Sequence, residues 1–153
     1  MRQSFELPFL TAALSPAPVR MPVFSCAIRA GFPSPADDYV EKRLDLNDLI
    51  QHKEATYFAW VEGESMQDMN IHDGDLMMID KAVSPESGDV VIAEIGGEFT
   101  VKKLKITGGK GYLVPANLNY PITEINPETG VSIWGVVVRV VHDLRQRQPR
   151  RKL

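Results

Sequence analysis

The chain has 153 residues, 44% of them hydrophobic and 24% charged, a composition that excludes fibrous and wholly disordered classes and suits one soluble domain with a single core. Its net charge of −3 is unevenly placed: residues 1–30 carry Arg2, Arg20 and Arg29 against Glu6, residues 143–153 carry five basic residues against Asp143, and the body between is strongly acidic. An acidic body excludes a broad duplex-DNA surface, which needs clustered Lys and Arg, and no apolar run approaches the ~18 residues of a membrane helix.

Of the eleven prolines, six (8, 16, 18, 22, 33 and 35) fall in the first 35 residues, where they remove backbone donors and favour extended chain. Residues 1–30 therefore read as an extended N-terminal arm. Its Phe5, Leu7, Phe9, Leu10, Val23 and Phe24 are suited to docking on a folded surface. The single Cys26 excludes an internal disulfide and points to a reducing compartment, so a cytoplasmic location is expected.

After the arm, Asp45-Leu46-Asn47-Asp48-Leu49-Ile50 predicts one short helix with Asp45 as N-cap. From Thr56 the pattern changes to short runs rich in aromatic and β-branched residues. Strands are expected over 56–61, 76–79, 89–95, 98–106, 111–115 and 131–142, with Gly96-Gly97 as a two-residue hairpin and further turns at Gly108-Gly109 and Asn126-Pro127. The Val-rich last run reads as a central, buried strand. The result is a mostly β, compact domain over 31–142, followed by a basic tail over 143–153.

The residue that draws attention is Ser65, in Gly63-Glu64-Ser65-Met66 directly after the first of these strands. A tight turn there presents a side chain outward, and the neighbouring backbone N–H groups of Glu64 and Ser65 are suited to hold an oxyanion. A serine nucleophile needs a base. Phe99-Thr100-Val101-Lys102-Lys103-Leu104 offers two lysines, and a lysine serves as a base when burial lowers its pKa. Strand alternation puts Lys102 and Lys103 on opposite faces without choosing between them. A histidine base drawn from His52, His72 or His142 has no spacing to recommend it. One cysteine and three scattered histidines supply no metal-binding pattern, Asp73 and Asp75 do not complete a calcium loop, and Gly108-Gly109-Lys110-Gly111 lacks the register of a phosphate cradle. No metal or cofactor is expected.

Taken together, Gly31-Phe32-Pro33-Ser34-Pro35-Ala36-Asp37-Asp38-Tyr39-Val40, Leu44-Asp45-Leu46-Asn47, Gly63-Glu64-Ser65-Met66, Asp73-Gly74-Asp75-Leu76, Gly97-Glu98-Phe99-Thr100-Val101-Lys102-Lys103-Leu104 and Gly135-Val136-Val137 resemble the LexA-like self-cleaving serine peptidases of S24 type, and among them the UmuD-like SOS mutagenesis proteins. The resemblance covers roughly residues 30–142. It implies a LexA/UmuD C-terminal-like fold, with Ser65 as nucleophile, Lys102 as base and Ala30-Gly31 as the scissile bond. The UmuD-like pattern has cysteine at the first cleavage position, so Ala30 is closer to the repressor branch. That branch carries a helix-turn-helix domain before the cut, which thirty residues with four prolines do not supply.

For the rest, the resemblance implies RecA filaments on single-stranded DNA as the trigger, a homodimer, and a UmuC-like Y-family translesion polymerase as partner. Contact with DNA would then be indirect. A non-cleaving adaptor of the same fold is the alternative.

Overall fold

The computed structural model describes residues 10–11, 16–24, 30–31, 41–116 and 121–145. Among the described residues, ten strands form two antiparallel sheets: β1 (Leu10–Thr11), β2 (Arg20–Phe24), β3 (Glu41–Asp45), β4 (Thr56–Trp60), β5 (Leu76–Asp80), β6 (Val90–Ile95), β7 (Glu98–Thr107), β8 (Lys110–Val114), β9 (Thr123–Ile125) and β10 (Val131–Val141). The larger sheet has the order β1-β4-β5-β10-β6-β7-β8-β9, and β2 pairs with β3 in a separate ribbon.

The mostly β expectation holds, and the six expected strands appear as β4 to β8 and β10 within a residue or two of their bounds. Asp45 caps a short 3-10 turn, Leu46–Leu49, by accepting from the Asn47 backbone N–H. Gly96 and Gly97 both take positive φ between β6 and β7, the conformation a two-residue hairpin requires. Strand β10 is central, paired with β5 on one side and β6 on the other. Its burial is uneven, however: Val131, Gly135 and Val136 are buried and the remaining positions are partly or fully exposed.

Two features depart from the expectation. Part of the arm is in strands: β1 extends the sheet beyond β4, pairing Leu10 with Phe58 and Thr11 with Tyr57, and β2 pairs along the whole of β3. Pro22 within β2 is tolerated because both strands of a two-stranded ribbon are edges. Met21, Val23 and Phe24 are each close to half exposed. The arm's Phe5, Leu7 and Phe9, the Phe32-Pro33-Ser34-Pro35 segment and the tail beyond Arg145 lie outside the described residues. The second departure is β9, a short strand beside β8.

The faces of the larger sheet pack into two clusters. Val61, Met66, Ile71, Met77, Ile79 and Ile92 form the first, joined by Ala59, Val90, Phe99, Val101 and Trp134. Val91, Ala93, Leu104, Leu113, Val131 and Val136 form the second. Val91 and Ile92 are neighbours on one strand, so β6 supplies both clusters by simple alternation. The Trp134 ring meets Tyr57 at 5.0 Å and Phe99 at 5.5 Å, both edge-on, while the Lys81 ammonium lies 4.6 Å from its centroid. Trp134 thus touches side chains from β4 and β7 at once.

Beside Trp134, the pairing of β10 with β6 shifts register between Ile133 and Gly135. A methyl group at Gly135 would lie 2.8 Å from the Ile79 Cγ2 atom, and Ile79 is fully buried with no room to yield. Gly135→Ala is expected to destabilise the fold by about 1–3 kcal/mol, measured as a lower urea midpoint at unchanged slope.

Candidate functional site

The turn after β4 is held from several directions. Val61, just past the strand, donates its N–H to the Asp75 carbonyl at 2.8 Å, and its own carbonyl accepts from Gly74 N–H at 2.9 Å. Gly63, with φ of +91°, donates its N–H to Asp73 Oδ1 at 2.9 Å. The chain then passes Glu64 and Ser65 and enters a 3-10 turn, Gln67–Met69, stopped by Asn70 in the left-handed region. The Met66 carbonyl accepts from Met69 and Ile71. Val61, Met66 and Ile71 are buried in the first cluster, so Ser65, itself half-buried, stands between anchors that fix the backbone on both sides.

Lys102 lies on β7 opposite Val91 of β6. Burial holds its ammonium below the ordinary lysine range, because removing the charge from water disfavours the protonated form. Alternation puts Lys102 on the side of Thr100 and Leu104, and Lys103 on the side of Phe99 and Val101. Lys103 therefore shares its face with the first cluster, into which the Ser65 turn packs, and Lys102 shares its face with Leu104 of the second. Both lysines are half-buried. Ala30 and Gly31 form an exposed turn with Gly31 at φ of +93°.

The three histidines separate clearly. His52 Nδ1 meets the buried Asp80 at 2.7 Å, at the far end of the β4–β5 pair from Ser65, a separation of about 13 Å along the strands. His142 Nδ1 meets Asp75 Oδ1 at 2.6 Å, and the His72 ring is centred 5.1 Å from that of His142. Asp75 is buried and also accepts from the His72 backbone N–H. Burial pushes its carboxyl up, but the hydrogen bonds from His72 and His142 outweigh it and hold the group below the usual carboxylate range. Sequence reasoning set Asp73 and Asp75 aside as an incomplete calcium loop and missed the pair of Asp75 and His142. Its one signal was a polar run before a strand. Among the described residues no group of three or more His, Cys, Asp or Glu is placed to hold a metal ion, and no helix is long and apolar enough to cross a membrane.

Comparison with known proteins places this arrangement in context. A family profile described as "Peptidase S24-like" matches residues 22–138. Protein SamA of Salmonella typhimurium is 47% identical over 125 residues, covering 81% of this chain and 86% of the relative. Protein MucA of Escherichia coli is 42% identical over 119 residues, covering 76% and 81%. The LexA repressor of Delftia acidovorans is 32% identical over 140 residues, covering 92% of this chain and 60% of the repressor.

A lysine with a lowered folded pKa costs stability while it is charged. The cost is present below its folded pKa and disappears as pH rises from there to the unfolded value near 10.4. Lys102→Met is therefore expected to raise Tm at pH 7, with the gain shrinking toward pH 10, as followed by circular dichroism.

Proposed function

Because the chain belongs to the Peptidase S24-like family, whose profile spans well over half of it, we propose that it is a self-cleaving serine peptidase that cuts its own Ala30-Gly31 bond. What carries the reading is a serine on a turn pinned at both ends together with a strand lysine that burial draws away from its charge. Ser65 is the nucleophile and Lys102 the base.

In the reaction, the neutral Lys102 amine takes the Ser65 hydroxyl proton as Oγ attacks the Ala30 carbonyl carbon. The oxyanion that forms is met by the backbone N–H groups near Glu64 and Ser65. The Ala30–Gly31 bond breaks, and the proton passes from the lysine to the Gly31 amine. Lys102, neutral again, takes a proton from water, which hydrolyses the Ala30 ester and restores Ser65. A tethered substrate has a high effective molarity, so a triggered, rarely populated cleavable geometry is part of the proposal.

The product is residues 31–153, and its release has a direct structural meaning. β1 would leave the β4 edge and β2 would leave β3. Unpaired strand edges are templates for new pairing, so the cut changes which partners the body binds. The resemblance to UmuD-like SOS mutagenesis proteins supports reading those partners as a second copy and a UmuC-like Y-family polymerase in error-prone synthesis past lesions, with RecA filaments as trigger. The acidic body suits an indirect relation to DNA.

Incubation of the purified chain near pH ~10, where lysine is partly neutral, should cleave it without a partner and leave a new terminus at Gly31 by mass spectrometry. Ser65→Ala and Lys102→Ala should each abolish cutting, and Lys103→Ala should not. Loss of cleavage in Lys103→Ala alone would transfer the role to the lysine on the face of Phe99 and Val101. An intact chain in every case, with cellular function retained in Ser65→Ala, would favour the adaptor reading.

A further inference from the structure

The strongest cluster of titratable groups outside the serine and the lysine is Asp75 with His142 and His72, and it is joined to the Ser65 turn by a continuous hydrogen-bond path. His142 lies just after β10, where Val141 pairs with Leu76, and it reaches Asp75 across 67 residues of sequence. A carboxylate only accepts, so the His142 Nδ1 carries the proton of this bond. One Asp75 oxygen takes that hydrogen bond and the other takes the His72 backbone N–H. The Asp75 carbonyl then holds Val61 N–H. One residue earlier, Gly74 donates to the Val61 carbonyl, and Asp73 Oδ1 holds Gly63 N–H. The three-residue segment 73–75 therefore bonds to the chain on the approach to Ser65 at three points.

We propose that Asp75 and His142 are positioning residues for self-cleavage: the pair locks segment 73–75 to the end of β10, and that segment sets the backbone from which Ser65 attacks. The inference rests on the cleavage reading above for its kinetic consequence, but the clamp itself is a property of the fold. Asp75 is buried, and its two carboxylate oxygens are both engaged. His142 is about half exposed, with a side-chain accessibility of 44%. It is therefore the partner that can be changed without opening the core. Removing its side chain leaves a buried carboxylate with one bond fewer, and segment 73–75 is then tied to the end of β10 only through the adjoining Leu76–Val141 pairing, which loosens it. Small displacements of a reacting group are costly because cleavage needs Oγ aligned on the carbonyl carbon.

The test measures self-cleavage of the full chain across alkaline pH in wild type, His142→Ala and His142→Asn. The asparagine side-chain N–H group takes approximately the place of the imidazole Nδ1–H. His142→Ala is expected to cleave about tenfold more slowly at every pH, with the pH midpoint unmoved because that belongs to the base. His142→Asn is expected to recover most of the rate. In parallel, amide hydrogen exchange in a Ser65→Ala background, which keeps the chain intact, should show faster exchange at Gly63 and Val61 when His142→Ala is added. Wild-type rate and protection in His142→Ala would overturn the proposal. So would an asparagine variant as slow as the alanine one, or a moved pH midpoint, which would make His142 a proton carrier. A wild-type chain that never cleaves would refute the cleavage reading, leaving the exchange measurement to decide the clamp.

Discussion

Strand β10 is paired on both edges and bent at two places, between Ile133 and Gly135 against β6 and between Val137 and Arg139 against β5. The bends matter because of the strand order. The turn carrying Ser65 leaves β4, Lys102 sits on β7, and β5, β10 and β6 lie between them; in a flat sheet, β4 and β7 would be about 19 Å apart. Bulges increase local twist and curl a sheet. Here the curl closes around Trp134, which touches Tyr57 of β4 and Phe99 of β7. The first hydrophobic cluster, with members from β4, β5, β6, β7 and β10, is the inside of that curve. On β7 that inner face carries Phe99, Val101 and, by alternation, Lys103, whereas Lys102 lies on the face of the second cluster.

The two proposed reacting groups are prepared in opposite ways. Ser65 is prepared by rigidity: its neighbours are buried or hydrogen-bonded, and the backbone on either side has little freedom. Lys102 is prepared by solvation, its charge disfavoured where it lies. A half-buried lysine whose charge is disfavoured does not help the fold. It is the kind of local inconsistency that functional sites tolerate and cores do not. The pair of Asp75 and His142 works the other way, since its hydrogen bonds more than offset the burial of the carboxylate.

Much of this was legible in the sequence, and for definite reasons. The Val-rich run of β10, the Gly96-Gly97 turn and the Asp45 cap are local signals that tertiary structure had no cause to override. The ribbon of β2 and β3 was not legible: Glu41-Lys42-Arg43-Leu44-Asp45 has a charged composition foreign to strands, and Arg20–Phe24 contains a proline. Neither segment has a strand signature of its own; each is a strand because the other is there. The bond between His142 and Asp75 was equally hidden, because it depends on the register of β10 against β5 and not on any spacing within either segment. Alternation distributes Lys102 and Lys103 between two faces, but which is desolvated is decided by what packs above each face, which lies far away in the chain.

The central claim is that a strand lysine opposite Val91 is kept from its charge so that it can serve the serine. The direct measurement is the titration of the Lys102 side chain, followed by NMR of a selectively labelled full chain carrying Ser65→Ala to prevent cleavage. A midpoint clearly below the ordinary lysine value of about 10.4, absent from the spectrum of Lys102→Met, is the result this account predicts. A Lys102 that titrates at or above that value would contradict it.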